Sequence, residues 1–354
     1  MKERVLLVGP NRNIVGGVAT HINILKKALE QVELDTSIYE LKDYSNNSAI
    51  FKKMNDIIKI IKIRKEANSE YLAIHLNPSI YYGSFFKLIL TLASLKHNNI
   101  IVQFHGGSFE NLNKINSKLL LKFISNILKK AKTFIFLSTE QRDSFLEKFP
   151  MFQENTTVLP NFIDINDESI SLIKNEKLTV LFLARLIEEK GVFDLIEAVK
   201  DFKENEILVN IIGDGPCKEQ ILKEITENNL NEKVKFLGAK FGLEKELYMK
   251  ISDVYVLPSS WREGVPYTVL ESMKYKTAVL CTPQGGLKDI IVDGYNGIFI
   301  KKDANNIAES LKKMKNNKSL VKEISENAYQ YLKGNLSTEK AGVVFKTIYT
   351  GNKE

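Results

Sequence analysis

Two carboxylates, Glu263 and Glu271, bracket the run Glu263-Gly-Val-Pro-Tyr-Thr-Val-Leu-Glu271. A polyol presents closely spaced hydroxyl donors whose lost water must be replaced, and a carboxylate accepts several hydrogen bonds at once. The pair is therefore suited to reading sugar hydroxyls. Gly264 and Pro266 keep the first carboxylate off the helix that the second would join. The same residues fit a second reading, a capping box with Thr268 as N-cap and Glu271 at the third helical position. The two are compatible, because a glutamate in the first helical turn can cap and still face a ligand.

Other loops carry residues of matching chemistry. Gly16-Gly17 precedes a helix-like stretch from Ala19 to Leu29, and bare backbone N–H groups at a helix N-terminus can meet a phosphate, although such a pair also makes an ordinary tight turn. His105-Gly106-Gly107 puts an imidazole on a loop after a strand. His75 also follows a strand, while His21 and His97 read as structural. Arg185 and Lys190-Gly191 place two cations in one loop, where Arg can bind a pyrophosphate as a fork and Lys as a compact charge, the alternative being a solvated loop. Gly213-Asp-Gly215-Pro216 and Gly285-Gly286, with Asp289 following, each close a strand and open a helix.

The elements that must position these loops alternate between strand and helix, twice over. Arg4 to Val8, Thr36 to Tyr39, Tyr71 to His75, Ile100 to Phe104, Thr133 to Leu137 and Thr157 to Leu159 are short apolar runs separated by amphipathic stretches. The rhythm returns with Thr179 to Ala184, Leu208 to Ile212, Val234 to Leu237, Val254 to Leu257, Ala278 to Cys281 and Gly297 to Ile300. Such runs predict an α/β chain of two Rossmann-like domains, with parallel sheets covered on both faces, opposed across a cleft. Turn-forming and polar residues between Pro160 and Asn175 mark the boundary. Ligands of such sheets bind beyond the carboxyl ends of the strands, where all these loops fall.

At 354 residues, 44% hydrophobic and 26% charged, the chain is an ordinary globular one, which excludes disordered and fibrous classes. Cys217 and Cys281 lie far apart in apolar stretches, and the chain opens on a strand-like run without a secretory signal, so a reducing cytoplasm is expected. Phe85 to Leu95 is too short to span a bilayer and carries Lys87, so it reads as a helix packed on a sheet. Between Phe51 and Lys132 there are about 14 Lys/Arg against 4 Asp/Glu, a surplus larger than the formal net charge of +7, so the rest of the chain is slightly acidic. Clusters such as Lys52-Lys53, Lys62-Ile-Arg64-Lys65 and Lys129-Lys130 read either as solvated helix faces or as a surface for anionic lipid or a phosphate-bearing acceptor. Nucleic acid is not expected, because no aromatic stacking residues are interleaved with these charges.

The ordered set of motifs resembles the large retaining glycosyltransferase family 4, with the two-domain GT-B architecture. It comprises Gly16-Gly17, His105-Gly106, Pro160-Asn161-Phe-Ile-Asp164, Arg185 with Lys190-Gly191, Gly213-Asp-Gly215-Pro216, Phe236-Leu-Gly238, the Glu263 to Glu271 segment and Gly285-Gly286. The resemblance implies an acceptor-side domain over 1–163, a nucleotide-sugar domain over 164–334, and a C-terminal helix over 335–354 that returns to the first domain. It implies that Arg185 and Lys190 grip the donor diphosphate, Glu271 the ribose and Glu263 a hydroxyl of the transferred sugar. Gly16 and Gly17 would meet the phosphates from the other domain and His105 would sit beside the reacting sugar. Gly213, Gly215, Gly264, Val265, Tyr267 and Thr268 complete the donor-binding set. Val265-Pro266 stands where many relatives have Phe-Gly, Ala184 where Gly is usual, and Asp289 where Glu is common.

The expected activity is retaining transfer of a hexosyl or N-acetylhexosaminyl group from a nucleotide diphosphate, UDP above others, to a glycan or polyprenyl-diphosphate-linked acceptor in cell-surface polysaccharide synthesis. No cofactor and no metal are expected, since the chain has no Asp-x-Asp. The expected location is cytoplasmic, with the inner face of the plasma membrane as a peripheral site. Transfer to a soluble sugar, a sugar-nucleotide epimerase of the same fold and a non-catalytic nucleotide-sugar sensor are the alternatives.

Overall fold

The computed structural model describes residues 3–10, 16–41, 49–67, 70–107, 109–115, 117–165, 176–262 and 264–351. The chain divides into two compact units, Met1–Asp164 together with Leu336–Glu354, and Ile165–Asn335.

In the first unit, β1 (Arg4–Gly9), α1 (Gly17–Gln31), β2 (Asp35–Glu40), α2 (Ala49–Glu66), β3 (Ala73–Leu76), β4 (Ser79–Ile80), α3 (Tyr82–Ser94), β5 (Ile100–Gln103), β6 (His105–Gly107), α4 (Lys118–Leu128), β7 (Thr133–Phe136), α5 (Thr139–Lys148) and β8 (Thr156–Val158) follow in order. Six strands form a parallel sheet, β2-β1-β3-β5-β7-β8. Val5 to Val8, Ala73 to Leu76 and Ile100 to Val102 are buried on both faces, which is why these strands read as unbroken apolar runs rather than alternating ones. Behind the sheet, Phe104, Phe109, Phe134, Phe136, Phe145, Phe149 and Phe152 pack as a cluster, with Phe104 edge-on to Phe109 at 5.0 Å between centroids. Such tilted pairs add to the free energy of burial.

The short strands β4 and β6 pair with each other apart from the main sheet, so His105 belongs to a strand rather than to the loop expected from Gly106 and Gly107. Both glycines adopt positive φ, 54° and 81°, and a side chain at Gly107 would lie 2.9 Å from the Ile80 carbonyl oxygen.

The second unit runs β9 (Leu178–Leu183), α6 (Val192–Ala198), β10 (Ile207–Ile212), α7 (Lys218–Glu227), β11 (Val234–Phe236), α8 (Gly242–Ile251), β12 (Val254–Leu257), α9 (Tyr267–Lys274), β13 (Ala278–Cys281), α10 (Leu287–Ile290), β14 (Ile298–Phe299), α11 (Ala304–Asn316) and α12 (Lys318–Asn335). Its parallel sheet has the order β11-β10-β9-β12-β13-β14. The winding reverses between β9 and β12 here, and between β1 and β3 in the first unit. In open α/β sheets such a reversal leaves a crevice at the strands' carboxyl ends.

The last helix, α13 (Thr338–Thr350), packs on α1 in the first unit. Ser337 caps it by accepting from the Lys340 N–H. A side chain on Gly342 would come within 2.4 Å of the Ala28 carbonyl oxygen, so glycine sets the closeness of the two helices. The Tyr349 hydroxyl reaches Nδ1 of buried His75 at 2.7 Å, and the Asn99 amide donates to the Tyr349 carbonyl at 2.7 Å.

No described helix is long and apolar enough to cross a membrane.

Candidate functional site

At the switch point of the second unit, the loop after β9 carries Arg185 and Lys190. Its course is fixed by its neighbours. The Leu186 N–H donates to the Asp214 carbonyl at 2.9 Å, the Cys217 N–H donates to the Leu186 carbonyl at 3.1 Å, and the Ser260 N–H donates to the Glu189 carbonyl at 2.8 Å. A side chain on Gly213 would lie 2.0 Å from the Ala184 carbonyl oxygen, one on Gly215 2.4 Å from that of Leu186, and one on Gly191 2.2 Å from that of Pro258. The glycines therefore let three loops close on one another, a packing role visible without any ligand. Arg185 is exposed, with no side-chain partner among the described residues, whereas Lys190 is buried.

The loop after β12 leads to α9. Glu263, the first carboxylate of the sequence motif, lies outside the described residues. Gly264 and Val265 are buried, and Pro266, with φ −63°, is the N-cap of α9. The helix thus starts one residue before Thr268, which corrects the capping-box reading. Thr268 instead shares a hydrogen bond with the Tyr255 hydroxyl at 2.9 Å, and Tyr255 donates to the Leu183 carbonyl at 3.1 Å, tying α9 to the end of β9. Glu271 consequently lies a full turn inside the helix.

There its Oε1 meets Lys245 Nζ at 2.6 Å, while Oε2 is buried with no hydrogen-bond partner among the described residues. Burial raises the carboxyl's pKa, and Lys245 on α8 opposes that rise. The Tyr267 phenol is pushed well above 10 by burial and then by Glu271, so it remains protonated. A buried acceptor lacking a donor costs free energy until a ligand supplies one. Lys245 was absent from the sequence reading. It lies 26 residues from Glu271, and only the packing of α8 on α9 brings them together. After β13, Gly285 has φ 50° and Gly286 is the N-cap of α10, which carries Asp289.

The switch point of the first unit holds a cavity of about 260 Å³, lined by residues that include Gly9, Gly16, Gly17, Leu41, Asn77 and Leu88. Gly16 is the N-cap of α1. A side chain at Gly16 or Gly17 would meet no described residue within 4 Å, so packing among the described residues does not require glycine at either, unlike Gly213 and Gly215.

His105 is buried beside this region, its Nε2 3.0 Å from Asn77 Oδ1 and its ring 4.5 Å from that of His21. The Asn77 amide nitrogen faces the Val8 and His75 carbonyls, so its oxygen is left to accept, and His105 carries its proton on Nε2. Nδ1 keeps its lone pair. Burial, then His21 and His75, hold the His105 pKa well below 6.5, so it is neutral at physiological pH. His21 is buried, with Nε2 3.1 Å from Gln103 Oε1, and its pKa is lowered to about 4 by burial. His97 joins Tyr71 and Asn99.

With the geometry in place, comparison with known proteins shows what the chain is similar to. Residues 164–331, nearly the whole second unit, match the family described as Glycosyl transferases group 1. The chain is 25% identical, over 99% of both sequences, to an uncharacterized glycosyltransferase of Methanocaldococcus jannaschii. It is 23% identical to the UDP-Gal:alpha-D-GlcNAc-diphosphoundecaprenol alpha-1,3-galactosyltransferase of Escherichia coli, over 72% of this chain and 68% of that one. The fold is similar to that of Anabaena HepE in complex with UDP, with a TM-score of 0.74 at 17% identity over 99% of this chain and 100% of the other. The family match covers the second unit alone, and the fold over the whole chain is similar to that of solved GT-B glycosyltransferases.

Proposed function

We propose that the chain transfers a hexosyl or N-acetylhexosaminyl group from a UDP-sugar, with retention at the anomeric carbon, to a glycan or lipid-linked acceptor of cell-surface synthesis. The observation that carries this reading is the buried, unpartnered Oε2 of Glu271 at the switch point of the second unit. A ribose hydroxyl is a donor of the kind this oxygen lacks. UDP is favoured as the nucleotide because it is bound in the HepE structure. A lipid diphosphate acceptor is favoured by the name of the Escherichia coli relative.

In transfer, the bond between the anomeric carbon and the leaving phosphate oxygen breaks and the acceptor oxygen bonds to that carbon. On the same-face route the leaving phosphate takes the acceptor's proton. Negative charge grows on the departing diphosphate, and fixed cations aimed at it lower the barrier. Arg185 and Lys190 are assigned this task, Arg185 with a guanidinium that no described residue engages. The reading makes turnover independent of added divalent metal. Neutral His105, whose Nε2–H donates to Asn77 and so leaves the lone pair on Nδ1, orients and polarises rather than attacks. Gly16 and Gly17, which packing leaves unexplained, are assigned to close backbone approach of the substrate.

The test is transfer from UDP-sugars to a lipid-diphosphate glycan with EDTA present, the product anomer read by NMR. An α-linked product from an α-linked donor without metal is expected. An inverted product, or magnesium-dependent turnover, overturns retention or metal independence respectively.

A further inference from the structure

Three neighbouring helices of the first unit carry large apolar side chains that are exposed among the described residues. Each crossover from β2 to β3, β3 to β5 and β5 to β7 advances the same way along the sheet, so right-handed connections put α2, α3 and α4 on one face, opposite α1. Contacts join α2 to α3 and α3 to α4. On α4, Leu119 is 81% exposed and Phe123 60%, one turn apart, with Leu120 beside them. On α2, Ile61 is 64% exposed, together with Ile57 and Ile58; on α3, Tyr82 and Leu90 are exposed.

Cations border these side chains. Lys62, Arg64 and Lys65 on α2, and Lys118 and Lys122 on α4, are exposed with no ion pair among the described residues. The side chains of Lys52 and Lys53 lie outside the described ones. Not every lysine of the basic stretch is available. Lys130 donates to the carbonyls of Leu92, Ala93 and Leu95 at 3.0, 2.8 and 3.0 Å, capping the end of α3, and Lys87 pairs with Asp56.

A partner surface must therefore accept aliphatic and aromatic side chains at several points and offer negative charge between them. A bilayer rich in anionic lipid supplies both, because apolar side chains enter the acyl boundary while lysines stay at the headgroups. We infer that the face formed by α2, α3 and α4 docks on an anionic membrane surface, led by Leu119 and Phe123 and held by Lys118, Lys122, Lys62 and Lys65. The inference rests on the lipid-linked acceptor reading for its purpose, but its physics needs no substrate.

The experiment is flotation of the full chain with phosphatidylglycerol or phosphatidylcholine vesicles, without nucleotide, at low and high salt. Co-flotation is expected with phosphatidylglycerol only, weakened by salt. Leu119→Ser with Phe123→Ser should lower the bound fraction about tenfold with an unchanged melting temperature, since both side chains are exposed. Lys118→Glu with Lys122→Glu should weaken binding by a similar factor, about tenfold. Equal flotation of wild type and both double variants would overturn the assignment. So would absence from phosphatidylglycerol vesicles, or sedimentation as a dimer that Leu119→Ser with Phe123→Ser dissolves, which would make the face a contact between copies. Turnover on a soluble acceptor analogue is measured separately, so a wild type that transfers but does not dock on phosphatidylglycerol overturns this surface and leaves the transferase reading standing.

Discussion

Lys245 Nζ lies 2.6 Å from Oε1 of Glu271, and this contact opposes the rise in pKa that burial imposes on the carboxyl at the second unit's switch point. Burial alone would drive Glu271 toward its neutral form, and Lys245 counters it. Because Oε2 has no partner among the described residues, what α8 holds ready for a ligand is a carboxyl group with one oxygen already engaged.

Removing that cation should therefore move the pH dependence of donor binding. In Lys245→Met the Glu271 pKa rises further, so the carboxyl becomes neutral at a higher pH and the acidic limb of UDP affinity shifts upward. Isothermal titration of UDP from pH 5 to 8 reads this directly. An unmoved limb would mean that Glu271 does not touch the nucleotide.

The glycines should separate into two kinds. Gly213→Ala and Gly215→Ala force a Cβ against the carbonyl oxygens of Ala184 and Leu186 and should lower the stability of the second unit by about 1–3 kcal/mol. Gly16→Ala and Gly17→Ala meet no described residue within 4 Å and should leave the melting temperature unchanged while lowering kcat/KM. Thermal denaturation alongside initial rates distinguishes them.

Arg185→Ala should fold normally, its side chain being exposed, and should lose about 10²–10³ in kcat if the guanidinium stabilises the leaving diphosphate. A fall confined to KM would instead assign Arg185 to ground-state binding.

The buried histidines predict acid lability of the first unit. Burial lowers the pKa of His21 to about 4 and of His75 to about 3, against about 6.5 when unfolded. The unfolded chain then binds more protons between these values, so stability is full above pH 6.5 and declines as pH falls toward 4. Each such histidine contributes a slope of about 1.4 kcal/mol per pH unit. His75→Gln, whose side chain does not titrate, should lose one such slope in urea melts of the first unit. A parallel pH profile would contradict the assignment.

Gly342→Val presses a side chain against the Ala28 carbonyl and should destabilise the docking of α13 by about 1–3 kcal/mol. Hydrogen exchange in residues 338–350 would report it, with little change in the second unit.

Much of the fold was legible because parallel strands buried on both faces leave unbroken runs such as Leu6-Leu-Val and Val254-Tyr-Val-Leu. The pairing of β4 with β6 was not, since two or three residues containing glycines carry no period. The capping box failed because Pro266, with φ fixed near −65°, takes the N-cap itself. Arg185 and Glu271 could be picked out by their place after strands, but Lys245 and Asn77 could not. Their roles arise from contacts across long stretches of sequence, Lys245 to Glu271 and Asn77 to His105, that no local pattern encodes.

The central claim is that the second unit binds a nucleotide diphosphate sugar through Glu271. A thermal-shift screen over UDP-, GDP-, ADP- and dTDP-sugars, run on the wild type and on Glu271→Ala, tests it most directly, because a ligand that binds only the folded state raises its melting temperature. A shift with UDP-sugars in the wild type that is lost in Glu271→Ala is expected. No shift with any nucleotide sugar, or an equal shift in the variant, would contradict it.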